Sequence, residues 1–238
     1  MINYYHTDNL EYMRSLPDDF YDLGIADPEQ GKEMHGGKTG SGIIHERSGK
    51  ITRVSRTYFE RKDWDLTPAK EEYFEQFFRV TMHQIIWGEQ YYFKNFGPGR
   101  VVWDKINGTT NQYDVEIAYQ SLTDRAELIR FMWNGMMQGK SITEPHIQQA
   151  NKKLNEKRIH PCQKPSQLYA ALLDRFQIPR SWKIFDPNLG SGSIGIACLK
   201  KGYSLDACEK ELDYYLDAKA WLENEIEIIN AGMFCLGK

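Results

Sequence analysis

The chain has 238 residues, 41% hydrophobic and 26% charged, with a formal net charge of −3, which allows one domain with a substantial core and excludes a uniformly basic nucleic-acid coat. No apolar run approaches the roughly 18 residues of a membrane span, and MINYYHTDNLEY lacks the basic start and apolar stretch of a secretory signal, so a cytoplasmic location with no membrane partner is expected. Cys162, Cys198, Cys208 and Cys235 form no C-x-x-C pair and the histidines do not fall beside them at ligand spacing, so neither a metal site nor a structural disulfide is expected.

In chain order, INYYH reads as a short strand, EYMRSL as a helix, and YDLGIAD as a second strand running into Asp27-Pro28-Glu29-Gln30. Residues 31–62 then form a glycine-rich basic loop insertion with eight Lys/Arg against three Glu. PAKEEYFEQFFRV reads as a helix, HQIIWG and GRVVWDKI as strands separated by EQYYFKNFGP, and VEIAYQSL and AELIRFMWNG as strand-like runs. A second basic segment, residues 138–159, carries five Lys/Arg against two Glu. Such segments are often no more than solvated loops, but two of them beside a nucleotide-type fold point to phosphate contact.

The C-terminal quarter is the most regular. WKIFD is a strand, PNLGSGSIGIACLKK a glycine turn opening into a helix, YSLDAC another strand and ELDYYLDAKAWLENEIEII another helix. Such a β-turn-α-β-α unit binds nucleotide-like ligands where glycine lets the backbone N–H groups approach closely. Glu209 lies 19 positions after Gly190, at the end of the second strand, where an acid can accept hydrogen bonds from ribose hydroxyls. A lone G-x-G is otherwise a tight turn, and the unit needs further parallel strands, which the N-terminal half supplies. The ligand half of the sheet is therefore last in sequence and is expected to be central in space.

HPCQKPSQLYAALLDRF, IFDPNLGSGSIGIAC and DACEKELDYY resemble, in this order, the His-Pro-Thr-Gln-Lys-Pro motif, the cofactor glycine loop and the ribose-binding acid segment of the N4-cytosine/N6-adenine DNA amino-methyltransferases. HTDNLEYMRSLPDDFYDLGIADP resembles the segment from the adenine-contacting strand to the catalytic tetrad, and KDWDLTPAKEEYFEQFFRVTMHQIIWG and VVWDK resemble phage and bacterial members. The order is the circularly permuted one called the β class. The resemblance implies an α/β, Rossmann-like S-adenosylmethionine-dependent methyltransferase fold, a mostly parallel sheet with helices on both faces, as one domain over residues 1–238. It implies S-adenosylmethionine as cofactor, double-stranded DNA as partner and a homodimer as one assembly open to the chain. Carried over by position, Asp186, Asn188, Gly190, Ser191 and Gly192 would form the methionine-side loop, with Asp27 beside it. Glu209 would hold the ribose, Asp8 or Asn9 would face the adenine, and His160, Gln163 and Lys164 would approach the amino-acid end. For His160 and Lys164 the alternative is a plain loop leading to Pro165 at a helix start.

An exocyclic base amine is a poor nucleophile because its lone pair is delocalised into the ring. Two acceptors aimed at its protons favour the localised form and stabilise the charge that develops as methyl transfers. The family uses the tetrad's Asp side chain and first-proline carbonyl for this, and its terminal aromatic stacks on the flipped base. Asp27 and Pro28 keep both acceptors here, whereas Glu29 and Gln30 replace proline and tyrosine. Gln30 thus stands where the stacking ring should be, the backbone loses a restraint, and Glu29 adds negative charge near a phosphate-lined site. Trp87, Tyr91, Tyr92 and Trp64 are candidate replacement rings, although Trp87 reads first as a strand-end core residue. The expectation is N6-adenine methylation by direct in-line transfer with no covalent enzyme intermediate, with 138–159 as target-recognition segment and 31–62 closing over the DNA. Adenine is preferred because the family's adenine members more often begin the tetrad with Asp. The alternatives are a cofactor- and DNA-binding relative without turnover, and an unrelated dinucleotide oxidoreductase.

Overall fold

The computed structural model describes residues 1–32, 42–45, 51–54, 63–107, 114–134 and 137–236. An eight-stranded sheet runs through it in the order β1 (Ile2–His6), β12 (Ser204–Glu209), β11 (Lys183–Asp186), β2 (Tyr21–Ala26), β5 (Thr81–Trp87), β7 (Val115–Gln120), β6 (Arg100–Asp104), β8 (Ala126–Arg130). Strand β7 is antiparallel to both neighbours, and every other pairing in the sheet is parallel.

Apolar residues of neighbouring parity pack into two cores, one on each face. Ile184, Leu205, Ile85 and Trp87 meet α3 (Ser166–Arg175), α4 (Ser193–Lys201) and α5 (Leu212–Leu236) through Leu168, Leu172, Ile194 and Ala218. Phe185, Cys208 and Ile86 meet α1 (Asn9–Arg14) and α2 (Glu71–Val80) through Met13, Phe74 and Phe77 on the other face. Strands buried on both faces read as near-continuous apolar runs, which is why FD, IIW and GIA segments lack a clean alternation. The expected strands and helices are all present. The C-terminal unit lies inside the sheet with neighbours on both sides, although β12 and β11 are second and third from one edge rather than at its centre.

Two expected segments differ in detail. The run AELIRFMWNG divides: β8 ends at Arg130, and β9 (Trp133–Asn134) pairs with β10 (Met137–Gln138) in a separate two-stranded ribbon. The 31–62 insertion contains an antiparallel hairpin of β3 (Gly42–His45) and β4 (Ile51–Val54), and the rest of it from residue 33 lies outside the described residues. The 138–159 segment has local order: Gly139 bridges to Gln148, and the Gln138 side chain bonds the Glu156 backbone in both directions, at 2.7 and 2.8 Å. Among the described residues no helix is long and apolar enough to cross a membrane, and no cluster of metal-ligating side chains is found.

The parallel strands all end on one edge of the sheet. Strand β1 leads there to Asp8, β2 to Asp27, β11 to the glycine turn, and β12 ends there at Glu209. Because β7 runs the other way, its first residues lie on that same edge, with Glu116 paired to Trp103 near the end of β6. In open α/β sheets the ligand crevice lies outside these carboxyl ends.

Candidate active site

Two cavities share this edge. One of about 930 Å³ is lined by Asp27, Pro28, Gln30, Gln163, Lys164 and Ser191 among others, and one of about 140 Å³ by Asp8, Asn9, Glu29 and Glu209. Asp27, Trp64, His160, Asn188 and Gly190 line both and so mark where the cavities meet. Asp186 and Gly192, expected on the cofactor loop, stand on neither wall. Asp186 instead accepts a bond from the Asn188 N–H at 2.8 Å. Gly192, at φ +78°, passes Ala218 of α5 so closely that a Cβ would lie 2.9 Å from the alanine Cβ, and its carbonyl accepts from the Tyr4 hydroxyl at 3.3 Å. Both residues shape the turn from behind.

The smaller cavity is built from acids. Asp8 caps α1, accepting from Leu10 and Glu11 N–H at 2.9 and 3.2 Å, as Asp does at a helix start. Asn9 donates to the Pro187 carbonyl at 3.1 Å. Glu209 accepts the Gly190 and Glu211 N–H groups at 2.8 Å each, which ties the strand end to the glycine turn. Burial pushes the Glu209 carboxyl up to about 7 and the Asp186 carboxyl up to about 8, in each case against backbone hydrogen bonds that act downward. The Glu29 carboxyl is also raised, by burial and then by the nearby Asp65 charge. Buried carboxyls with raised pKa on this wall and, at Asp186, behind it favour a cationic ligand, because a positive charge would stabilise their ionised forms.

Asp27 sits at the junction. Its Oδ2 pairs with Lys164 Nζ, and its Oδ1 accepts from Gln30 Nε2 at 3.1 Å. Burial raises its pKa, with Lys164 acting against that and Glu116 adding to it. The Pro28 carbonyl accepts from the buried Tyr92 hydroxyl at 2.9 Å. Carboxylate and carbonyl oxygens both have lone pairs left for a further donor.

Gln30 is not loose. Its backbone N–H and that of Gly31 donate to one oxygen of Asp65, at 2.8 and 3.0 Å, and Ala69 N–H donates to the Glu29 carbonyl at 2.9 Å. Contacts from residues 65–69 thus restrain the backbone of this corner. The Gln30 amide lies across Gly88, which is at φ +71° and where a Cβ would overlap that amide. Gly88 is thus required twice, by its conformation and by this close approach.

Lys164 is 5% exposed and His160 packs edge-on to Tyr214 at 4.4 Å and against Trp64 at 5.4 Å. Gln163 reaches the cavity but uses its amide structurally, donating to Glu156 at 2.9 Å and to the Lys157 carbonyl at 3.0 Å and accepting from Ile159 N–H at 2.8 Å. Of the candidate rings, Trp87 is fully buried in the core and Tyr92 is buried under Pro28, so neither presents a face to the cavity. Tyr91 lines a separate surface recess and has the Lys32 ammonium 3.7 Å from its ring centre. Trp64 remains, on both cavity walls.

No motif in the sequence assigns a role to Asp65, Glu116 or Lys105, and Tyr92 stood out there only as a ring. The available signals were a second acid in KDWDL and a lone acid at the head of the apolar strand VEIAYQ.

An open, mostly parallel sheet whose carboxyl edge carries a glycine turn, a strand-end acid and an Asp-Pro corner defines a Rossmann-like ligand-binding architecture. The model of the N6/N4 methyltransferase family, described as DNA methylase, matches residues 51–220, and the chain belongs to this family. Among solved structures it is similar to the M1.HpyAVI–SAM complex, at 18% identity and TM-score 0.52 over 93% of this chain and 100% of that one. It is also similar to the PvuII DNA methyltransferase, cytosine-N4-specific, at 14% identity and TM-score 0.51 over 92% and 85%. These likenesses show the expected S-adenosylmethionine-dependent methyltransferase fold. No curated protein matches the sequence.

Proposed function

We propose that the protein methylates the exocyclic N6 amine of adenine in double-stranded DNA. The observation that carries this reading is that Asp27 and Pro28 both line the large cavity, with Asp27 also on the wall of the acid-lined one. A base must leave the helical stack to reach such a corner. Asp27 and Pro28 would accept its two amine protons, localising the lone pair and stabilising the charge that builds up on nitrogen. Trp64 would supply the stacking face that Gln30 cannot.

The donor set fits the family's cofactor. Glu209 and Asp8 would hold the adenosine end in the smaller cavity, and Asn188, Gly190 and Ser191 would line the path to the methionine end. S-adenosylmethionine supplies a sulfonium-bound methyl group and a positive charge, which the raised carboxyls around it would offset. Lys164 and His160 would meet the amino-acid end. The 138–159 segment, with Lys152 and Lys153 exposed on its short turn, and the basic 31–62 insertion would contact DNA.

A second reading, a relative that binds cofactor and DNA without turnover, is favoured by one observation: Lys164, Gln30 and Tyr92 already engage both acceptors. Tritiated S-adenosylmethionine and unmethylated DNA of varied sequence separate the two. Label in N6-methyladenine that is lost on Asp27→Ala supports the first; cofactor binding without transfer supports the second; label in N4-methylcytosine refutes the adenine assignment.

A further inference from the structure

Beyond Asp27 the site continues as a line of alternating charge. The Lys164 ammonium pairs with Asp27 and lies 3.2 Å from Glu116 Oε2, while the other oxygen of Glu116 pairs with Lys105. Both ammonium groups lie over core indoles, Lys164 5.2 Å from the Trp87 ring centre and Lys105 4.9 Å from that of Trp103. The two indoles are fully buried, so the cations have fixed seats. After Lys105 the backbone turns through Ile106 at φ +53°, uncommon for a β-branched residue, with the Ile106 N–H held by Asp104 Oδ1 at 2.9 Å. Four separate parts of the chain thus hold one neutral row of two anions and two cations.

The cation in the middle is shared. Burial acts to raise the Glu116 carboxyl, but Lys164 and Lys105 together outweigh it and hold that group down at about 2. Asp27 has Lys164 but no second cation of comparable weight, and burial prevails there. With Lys164 to itself, Asp27 would be a tight ion pair with little acceptor strength to spare; without Lys164, burial would keep it protonated and unable to accept.

Resting on the methyl-transfer reading, we propose that Glu116 is a positioning residue that shares the Lys164 ammonium with Asp27 and so sets where the Asp27 carboxylate points and how strongly it accepts. Lys105 anchors the far side of Glu116. The charged groups facing Asp27 are Lys164, Glu116 and Lys32, with Asp186 behind it on β11. Cys162, Tyr73, Tyr92 and Tyr169 also face it, and burial raises each of them, so all stay neutral in the working range.

The test uses two substitutions with opposite consequences. Glu116→Gln removes the negative charge that lifts Asp27 and leaves Lys164 to it. The acid limb of the kcat–pH profile then moves to lower pH, and kcat falls roughly tenfold to a hundredfold, the scale of a small misplacement at a reacting group. Lys105→Met releases Glu116 to draw Lys164 away, and the same limb moves to higher pH. Carbon-13 titration of the Asp27 carboxyl follows both shifts without turnover. Opposite displacements in that titration support the inference even if the parent transfers no methyl, an outcome that would sink only the methyl-transfer reading. Limbs and titrations that coincide with the parent's, or move in the same direction in both variants, overturn the shared-cation role, and should Glu116→Gln fail to fold, the Lys105→Met shift decides.

Discussion

Asp65 is the residue on which the corner at Asp27–Gln30 leans most heavily. It is 3% exposed, and one of its oxygens accepts both the Gln30 and the Gly31 backbone N–H, at 2.8 and 3.0 Å. Bonds from backbone amides to a charged acceptor contribute about 1.5–3 kcal/mol each, so the pair sums to roughly 3–6 kcal/mol before relaxation. Two effects reduce this. Gln30 is half-buried, so water can reach part of what is exposed, and removing the Asp65 charge relieves its repulsion of the raised Glu29 carboxyl. Asp65→Ala is therefore expected to cost about 2–5 kcal/mol, and Asp65→Asn, which keeps an oxygen acceptor but loses the charge, about 1–2 kcal/mol. Urea denaturation followed by tryptophan fluorescence measures both, and methyl transfer should fall in the same order. Equal losses in the two variants, or losses below about 0.5 kcal/mol, the scatter of ordinary surface changes, would refute the claim that Asp65 holds the tetrad backbone.

Gly88→Ala places a methyl group in the Gln30 amide at a left-handed backbone position; a loss of about 1–3 kcal/mol is expected from the crowding alone, with transfer reduced more than cofactor binding in a calorimetric titration. Cofactor affinity should rise as pH rises through about 7 and about 8, where Glu209 and Asp186 ionise, and binding should release protons, seen as a buffer-dependent calorimetric enthalpy; a flat profile would count against the acid-lined site. For stability the sign is opposite: above about pH 4 the unfolded chain has lost protons that the folded chain keeps on these two groups, so stability falls as pH rises towards 8. Asp186→Asn should flatten that fall in thermal melts. Lys152→Glu with Lys153→Glu should weaken DNA binding and lower its salt dependence; unchanged binding in an anisotropy titration would remove the 138–159 segment from the DNA interface.

Much of this site was readable because its markers are local. The strand ends, the glycine turn and Glu209 lie within one short stretch, and their spacing encodes the crevice. Asp27 was readable from its strand and its family motif. What was not readable depends on residues far apart in sequence. Asp65 restrains Gln30 from 35 positions away, Tyr92 reaches Pro28 from 64 positions away, and Glu116 meets Lys164 only because β7 is reversed in the sheet. Strand periodicity reports which face is buried, not which way the strand runs, so an acid at the start of VEIAYQ gave no sign that it stood at the carboxyl edge of its neighbours. Gln163 lines the large cavity, and its amide secures residues 156–159, a second role that its motif did not announce.

The missing ring offers the sharpest test of how the tetrad was rebuilt. Gln30 lies across Gly88 and lines the large cavity, as Trp64 does, so a tyrosine at position 30 is expected to occupy the space beside Trp64. If Trp64 holds the flipped base, its removal should cost about 1–3 kcal/mol of base stacking, a drop of roughly 5- to 150-fold in kcat/KM for DNA. Gln30→Tyr alone should not raise activity, because the new ring competes with Trp64 for the same space. The double substitution Gln30→Tyr with Trp64→Ala should recover much of what Trp64→Ala loses, since one ring then replaces the other. Activity that rises on Gln30→Tyr alone, or a Trp64→Ala protein that keeps full kcat/KM, would mean that the base is held elsewhere. Rescue confined to the double variant would mean that the stacking face has moved from the end of the tetrad to the KDWD segment, while Asp27 and Pro28 have kept their place.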